Sequence, residues 1–200
     1  PFKAAAAAGV ATFMNSFNEI DGIPSTANKM LQRDMLKGEW GWDGFMVSDW
    51  GSIGEMMAHG YAKNKKHAAE IALNAGSDMD MESYAYEEHL ENLLKENKIS
   101  IAQIDDAVKR VLRVKFRLGL FDDPYKYCDE DREKNDVYTK EHLALARDVA
   151  KKSIVLLKNQ NKLLPLSKTI KSIAVIGPLA DDKDSPLGNW RGMGEYNSAV

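Results

Sequence analysis

Gly44-Phe45-Met46-Val47-Ser48-Asp49-Trp50-Gly51 is the stretch on which the fold turns. Phe45, Met46 and Val47 make a short apolar run, bounded by turn formers on both sides: Trp42-Asp43-Gly44 before it, Trp50-Gly51-Ser52-Ile53-Gly54 after it. So brief an apolar run between turns reads as a buried parallel strand rather than a helix. Asp49 then stands at the strand's end, beside an indole ring and a glycine turn. In an α/β barrel the carboxyl ends of the strands carry the chemistry, so Asp49 and Trp50 suggest an acid, base or nucleophile next to a substrate-stacking surface. The same local pattern fits an Asp that caps the following helix or holds a loop, because Asp is a common N-cap.

Working outward, short apolar runs alternate with longer helical ones from Val10 to Gly119, the pattern of successive βα units around a parallel sheet. Two further strands are expected, Ala11 to Asn15 and Asp78 to Met81, the latter after the Asn74-Ala75-Gly76 stop. Pro24-Ser25-Thr26 is expected to open a helix through Leu36 with Met30, Leu31, Met35 and Leu36 on one face, and His67 to Ala75 to form another, ended by Gly76. Two consecutive helices follow, Glu87 to Asn97 and Ile101 to Leu118. Ser100 with Gln103 three residues on has the form of a capping box. In the second of these helices Ile104, Val108, Val111, Leu112 and Phe116 recur at helical spacing and are expected in a core, while Lys109, Arg110, Arg113, Lys115 and Arg117 are expected to form a mostly solvated face. Such a series of strands is too few to close a barrel, which takes eight strands and about 250 residues. The expectation is therefore the last part of a barrel, with an open sheet edge.

Tyr125 to Tyr138 is charged and poor in aliphatic residues, and reads as a turn-like connector. A helix from Thr139 to Lys152 is expected to lead into a strand at Ile154-Val155-Leu156-Leu157, with another at Ile173-Ala174-Val175-Ile176 stopped by Gly177-Pro178. The expected domains are thus 1–121, 122–138 as a connector, and 139–200 as the start of a second α/β domain. Gly177, Gly188, Gly192 and Gly194 fit neither a Walker loop nor a dinucleotide fingerprint.

Composition sets further bounds. Hydrophobic residues at 44% and charged residues at 28% are ordinary for a globular protein. A net charge of -3 with Lys and Arg interspersed among Asp and Glu offers no basic surface for nucleic acid and no electrostatic case for a membrane. The run Ala4 to Val10 is far shorter than the ~20 residues of a membrane span and reads as a packed helix. A single cysteine, Cys128, excludes an internal disulfide and a cysteine-based zinc site, and its acidic surroundings do not favour a reactive thiolate. No metal or cofactor is expected. The chain begins at Pro1 and ends after a glycine-rich stretch, and reads as part of something longer, so it carries no information on a signal peptide.

Several separated blocks, in one order, give the sequence a resemblance to glycoside hydrolase family 3, the β-glucosidase-like family. They are Met14-Asn15-Ser16-Phe17-Asn18 with Asp21-Gly22-Ile23-Pro24; Leu36-Lys37-Gly38-Glu39-Trp40-Gly41-Trp42-Asp43-Gly44; Val47-Ser48-Asp49-Trp50-Gly51; and Ala75-Gly76-Ser77-Asp78-Met79. Further on come Arg110-Val111-Leu112-Arg113-Val114-Lys115 with Leu118-Gly119-Leu120-Phe121, and Ser153-Ile154-Val155-Leu156-Leu157-Lys158-Asn159 with Leu163-Leu164-Pro165-Leu166. The resemblance runs from about Val10 to Trp190.

It implies an α/β fold in which a TIM-like (β/α) barrel is followed by an α/β sandwich domain, with a β-linked oligosaccharide or glycoside as substrate between them. It implies that Asp49 is the nucleophile of a retaining exo-acting β-glycosidase, most closely a β-glucosidase, forming a covalent glycosyl-enzyme that water hydrolyses. Trp50 matches the aromatic residue against the sugar face, and Met14 and Phe17 match positions near the sugar subsite. At position 17 many members carry Tyr, so this chain lacks a phenol that could hydrogen-bond the nucleophile. Asp43 and Asp78 are expected to be structural. A β-xylosidase, an N-acetylhexosaminidase and a non-catalytic carbohydrate-binding relative remain alternatives. The second carboxyl of a retaining enzyme, about 5 Å from the nucleophile, is expected to be a Glu further downstream in such relatives; Glu195 has no motif behind it. These residues are therefore expected to hold the nucleophile without turning over an aryl β-glucoside by themselves. The family resemblance favours a periplasmic or extracellular location; oligomeric state is left open.

Overall fold

A computed structural model of the chain describes residues 1–195. The chain divides into two compact units, residues 1–129 and 130–200. The division falls between Asp129 and Glu130. The last five positions of the expected second domain lie outside the described residues.

The first unit is built on a small parallel sheet. Strand β1 (Thr12–Met14) pairs in parallel with β4 (Phe45–Val47), in the register Thr12 to Phe45, Phe13 to Met46 and Met14 to Val47. On the other side of β4, the expected third strand is reduced to one parallel bridge between Val47 and Met79. Among the described residues β1 has no second ladder partner. A two-residue hairpin, β2 (Glu19–Ile20) with β3 (Ile23–Pro24), follows β1. Met46 is buried, whereas Phe45 and Val47 are half-buried, so β4 is less enclosed than its apolar sequence suggests.

Helices supply most of the enclosure. They are α1 (Phe2–Ala7), α2 (Ser52–Glu55), α3 (Lys65–Ala75), α4 (Ala85–Lys95) and α5 (Ile101–Arg117). Ala68, Ala69, Ala72 and Leu73 of α3 meet Ile53 and Met56 from the α2 region, Leu93 of α4 and Ala107 of α5 in the main apolar cluster. Its fully buried large side chains, Ile53, Met56, Leu73 and Leu93, each contribute about 1.5–3 kcal/mol of transfer free energy. Asn64 caps α3 by accepting the His67 N–H at 2.9 Å. Gly76 ends it with φ +111° and an N–H bonded to the Ala72 and Leu73 carbonyls. Ser100 and Gln103 form the expected capping box at α5.

Four local expectations are corrected. The helix expected from Pro24 to Leu36 is broken: a 3-10 turn (Ser25–Ala27) is followed by extended Asn28, and only then by a wide π-type helix, Met30–Glu39. Its Trp40 N–H bonds to the Met35 carbonyl, five residues back, and Gln32 and Leu36 rather than Met30 are buried. On α5 the buried residues are Ala107 and Val114, while Val108, Leu112 and Phe116 are exposed, and Arg110 and Arg113 bond to carbonyls of the turn before β4. The run Ala4 to Val10 does form a helix, but α1 buries none of its residues, alanine having little surface to bury.

The second unit contains α6 (Glu130–Asp136), where a connector without helix was expected, and α7 (Lys140–Ser153), capped by Thr139. Neither Ile154–Leu157 nor Ile173–Ile176 forms a ladder among the described residues, and Leu157 and Ile176 are about nine-tenths exposed. An extended segment becomes a strand only when a neighbour satisfies its backbone groups, and neither segment has one here.

Gly44 is the tightest point of the sheet. A Cβ there would collide with the Ala11 carbonyl oxygen and with Trp42 Cζ2, and the indole is pinned by its 2.7 Å bond to the Val10 carbonyl. Gly44→Ala is expected to destabilise the fold by about 1–3 kcal/mol or more, read as a lowered thermal midpoint; an unchanged midpoint would refute the close approach.

Candidate active site

Asp49 follows β4 at the carboxyl end of the sheet, and its flanks are fastened on both sides. Ser48 donates its N–H to the Met79 carbonyl at 2.9 Å and accepts the Met81 N–H on Oγ at 2.8 Å. Gly51 donates to the Met81 carbonyl at 2.8 Å. The Asp49 side chain itself is half-buried, and Oδ1 accepts the Trp50 N–H at 2.7 Å. It does not cap α2: Gly51 holds that position with φ +70° and no side-chain bond. Trp50 is 57% exposed, so it is not packed in the core.

Met14 ends β1, and Phe17 lies three residues beyond it. Met14 lies opposite Val47 in the ladder, and the Asn15 N–H continues it to the Val47 carbonyl at 3.2 Å. Met14 is 54% exposed, while Phe17 is half-buried. An apolar cavity of about 290 Å³ is lined by Met14 together with Phe13, Met35, Leu36, Trp40 and Met46 among others, but by none of Phe17, Asp49 and Trp50. Register sets Met14 beside Val47, with Phe17 following β1 and Asp49 and Trp50 following β4 in sequence; the cavity does not gather the four.

Behind the edge lies a buried polar network with no periodic signature in the sequence. Asn15 Nδ2 donates to Ser77 Oγ at 2.8 Å, Thr26 Oγ1 lies 3.1 Å from both Asn15 Oδ1 and Ser52 Oγ, and Ser77 Oγ lies 3.0 Å from Gln32 Oε1. Gln32 Nε2 donates to the Ser25 and Thr26 carbonyls at 3.0 Å each. Burial pushes the Tyr86 phenol well above its ordinary range, so it stays a donor, and it gives its proton to the Ser77 carbonyl at 2.7 Å.

Two cationic groups complete the support. Lys37 Nζ donates to Asp78 at 2.6 and 2.7 Å and to the Gly76 carbonyl at 2.7 Å, and Asp78 Oδ2 accepts the Met46 N–H at 2.8 Å. The two side chains are only 6% and 1% exposed. Burial pulls the Lys37 ammonium down to about 8 even with Asp78 beside it, and burial pushes the Asp78 carboxyl up against the pull of Lys37. Both shifts state that desolvation outweighs the attraction, the usual condition of a buried ion pair.

The second support comes from α5, whose basic face was expected in solvent. Arg110 donates to the Trp42 and Gly44 carbonyls at 3.2 and 3.0 Å, and Arg113 to the Asp43 carbonyl at 2.7 Å. A hydrogen bond from Arg117 holds the Asp43 carboxyl below its ordinary value, in a pair that is more than half exposed. The expected structural place of Asp43 and Asp78 is therefore visible in their partners. Lys37 and Arg110 escaped sequence reasoning because a lone cation on a helix ordinarily reads as solvated. Among the described residues no group of His, Cys, Asp and Glu is arranged to hold a metal ion.

The model of the glycosyl hydrolase family 3 N-terminal domain matches residues 1–114, and that of the family 3 C-terminal domain matches residues 154–200. The chain is 40% identical over 203 residues to a periplasmic beta-glucosidase of Salmonella typhimurium, covering 100% of this chain and 26% of that protein. It is 39% identical over 207 residues to a beta-xylosidase of Formosa agariphila, covering 98% and 28%. Among solved structures, a beta-glucosidase from Listeria innocua in complex with glucose is 44% identical with a TM-score of 0.70, over 83% of this chain and 23% of that one. A beta-glucosidase involved in saponin metabolism from intestinal bacteria is 37% identical with a TM-score of 0.79, over 99% and 26%. The chain spans about a quarter of the length of the curated relatives it matches.

Lys37→Met removes the counter-ion from buried Asp78 and is expected to cost about 3–5 kcal/mol, seen as a large fall in thermal midpoint. Asp43→Asn, which breaks an exposed pair, is expected to shift the midpoint little. Equal effects of the two substitutions would contradict the burial difference.

Proposed function

The chain belongs to glycosyl hydrolase family 3, and from that premise we propose that the protein carrying it is a retaining, exo-acting β-glycosidase, a β-glucosidase that removes terminal non-reducing β-D-glucosyl residues, with Asp49 as its nucleophile. The observation that carries the reading is the state of Asp49: a half-buried carboxylate at the strand's end, held by its backbone flanks, paired with no cation among the described residues and not spent on capping α2.

An ionised carboxylate in that place can do two things in succession. It stabilises positive charge as the anomeric carbon approaches an oxocarbenium ion, then forms a bond to that carbon as the bond to the aglycone oxygen breaks. A second carboxyl about 5 Å away protonates the departing oxygen and then takes a proton from the water that hydrolyses the glycosyl-aspartate, restoring Asp49. That partner is a Glu outside the matched motifs of this chain. Exposed Trp50 suits the apolar C–H face of a hexose, and Met14 and Phe17 border the subsite from β1. In this reading residues 1–121 form the end of the barrel, 122–138 connect, and 139–200 begin the sandwich domain. A location outside the cytoplasm accords with the periplasmic relative.

β-Xylosidase activity is the second reading, supported by the 39% identity to a beta-xylosidase. The two sugars differ by one exocyclic hydroxymethyl group, so the choice rests on the space at the far end of the subsite.

The protein carrying this chain is to be incubated with 2-deoxy-2-fluoro glycosides of gluco and xylo configuration and the labelled peptide mapped. The gluco reagent is expected to label Asp49 faster, and Asp49→Asn to take no label and lose turnover to background. A label on another residue would refute the nucleophile assignment; faster labelling by the xylo reagent would refute the glucosidase assignment.

A further inference from the structure

The residues that position the carboxylate are a separate question from the carboxylate itself. β4 is only three residues long and ends two residues before Asp49. A ladder this short does not fix its own height, since it is held by few hydrogen bonds and its outermost rung is free to slip or fray. Something beyond the β1 pairing must hold it.

The segment after Gly76 is that second hold. Asp78 N–H and Met79 N–H both donate to the Met46 carbonyl, at 2.8 and 3.1 Å, and the Asp78 carboxylate accepts the Met46 N–H in return. Met46 thus has both backbone groups engaged by one short stretch of chain. The same stretch continues through Met79 and Met81 to Ser48 and Gly51, the residues on either side of Asp49 and Trp50. The whole clamp hangs on the orientation of Asp78, and among the described residues Lys37 is the cation at hydrogen-bond distance from it: Nζ reaches both carboxylate oxygens and, with its third proton, the Gly76 carbonyl. The ammonium has three protons and all three are placed.

We propose that Lys37 is a positioning residue for Asp49: by locking the Asp78 carboxylate onto the Met46 N–H and tying it to Gly76, it sets the height at which β4 presents the nucleophile to the anomeric carbon. This rests on the reading of Asp49 as nucleophile. Lys37 comes from the π-type helix, 12 residues before Asp49 in sequence, and touches no part of the sugar site.

Three other charged groups bear on Lys37. Arg33 from its own helix and Arg110 from α5 both oppose its charge, and Asp106 of α5 partners each of them, at 3.8 and 3.2 Å. With burial added, Lys37 loses its proton at about 8. A neutral amine leaves the Asp78 carboxylate without its counter-ion, so the clamp slackens in a pH range where a surface lysine would still be charged. Nucleophile delivery should therefore fail on the alkaline side while sugar binding, which does not use Lys37, is kept.

The test measures covalent labelling of Asp49 by a 2-deoxy-2-fluoro glycoside with a 2,4-dinitrophenolate leaving group, on the whole protein that carries this chain. That leaving group needs no protonation, so the titration of the general acid drops out of the rate. The maximal labelling rate constant is expected to fall roughly tenfold between about pH 7 and about pH 9.5, with the reagent's half-saturating concentration changing less than about twofold. Lys37→Arg, whose charge does not titrate in this range, is expected to flatten the profile. In case the larger guanidinium does not fit, the neutral pair Lys37→Gln with Asp78→Asn keeps an acceptor for the Met46 N–H and is also expected to give a flat profile. A rate constant independent of pH in the parent protein, or the same alkaline fall in either variant, overturns the clamp. Labelling that never reaches Asp49 overturns the nucleophile reading instead, and the clamp with it.

Discussion

Everything near the candidate site depends on how a three-residue strand is held at both edges. β4 has β1 on one side and, on the other, a segment that makes a single bridge. Few ladder bonds are available, so side chains supply the rest. Lys37 and Asp78 grip Met46; Arg110 and Arg113 grip the carbonyls of the turn that feeds the strand. Arg33 adds the same service at the end of α3, donating to the Leu73 and Asn74 carbonyls at 2.8 and 2.9 Å. Lys37, Arg33, Arg110 and Arg113 are each cations bonded to backbone carbonyls, and Asp78 is an anion bonded to a backbone N–H; such charge-assisted bonds are stronger than neutral ones. Helix-borne cations thus do for the turns around β4 what further strands do in a wide sheet.

The polar network between β1 and the helices solves a related problem. Asn15, Thr26, Gln32, Ser52 and Ser77 are all buried. In place of apolar packing they connect β1, the 3-10 turn, the π-type helix and the start of α2 by directed bonds. A network of that kind is costly when any member is lost, because the remaining groups stay buried and unpaired. It therefore specifies one arrangement of the elements behind Asp49 more sharply than an apolar cluster of the same size.

Elements with a strong local signal were legible in the sequence. The apolar run Phe45 to Val47, the Gly76 stop and the Ser100–Gln103 capping box each act within a few residues, and each appears where its residues place it. Long-range features were not legible. The break at Asn28 and the widened helix after it answer to Gln32 reaching back to the Ser25 and Thr26 carbonyls, a contact no periodicity announces. The basic residues of α5 looked like a solvated face because their acceptors are carbonyls of a turn 66 to 70 residues away. The apolar runs of the second unit read as strands, yet Ile154–Leu157 and Ile173–Ile176 make no ladder among the described residues, since strand formation is a property of pairs.

Three aspartates in one short region show how environment sorts like residues into unlike tasks. Asp43 faces Arg117 in an exposed pair and steadies a turn. Asp78 is buried, with Lys37 on one side and a strand amide on the other, and both its oxygens are engaged. A carboxylate so committed has neither a free oxygen nor the freedom to attack a carbon. Among the described residues Asp49 accepts one backbone N–H, from its neighbour, and has no cation against it, while the residues around it are fastened through Ser48 and Gly51. Rigidity of the backbone combined with an uncommitted side chain is what a nucleophile requires, because the attacking oxygen must be positioned without its lone pairs being consumed. The motif places an aspartate at the strand's end; among the described residues no cation contacts it, and that difference from Asp43 and Asp78 supports the role proposed for Asp49.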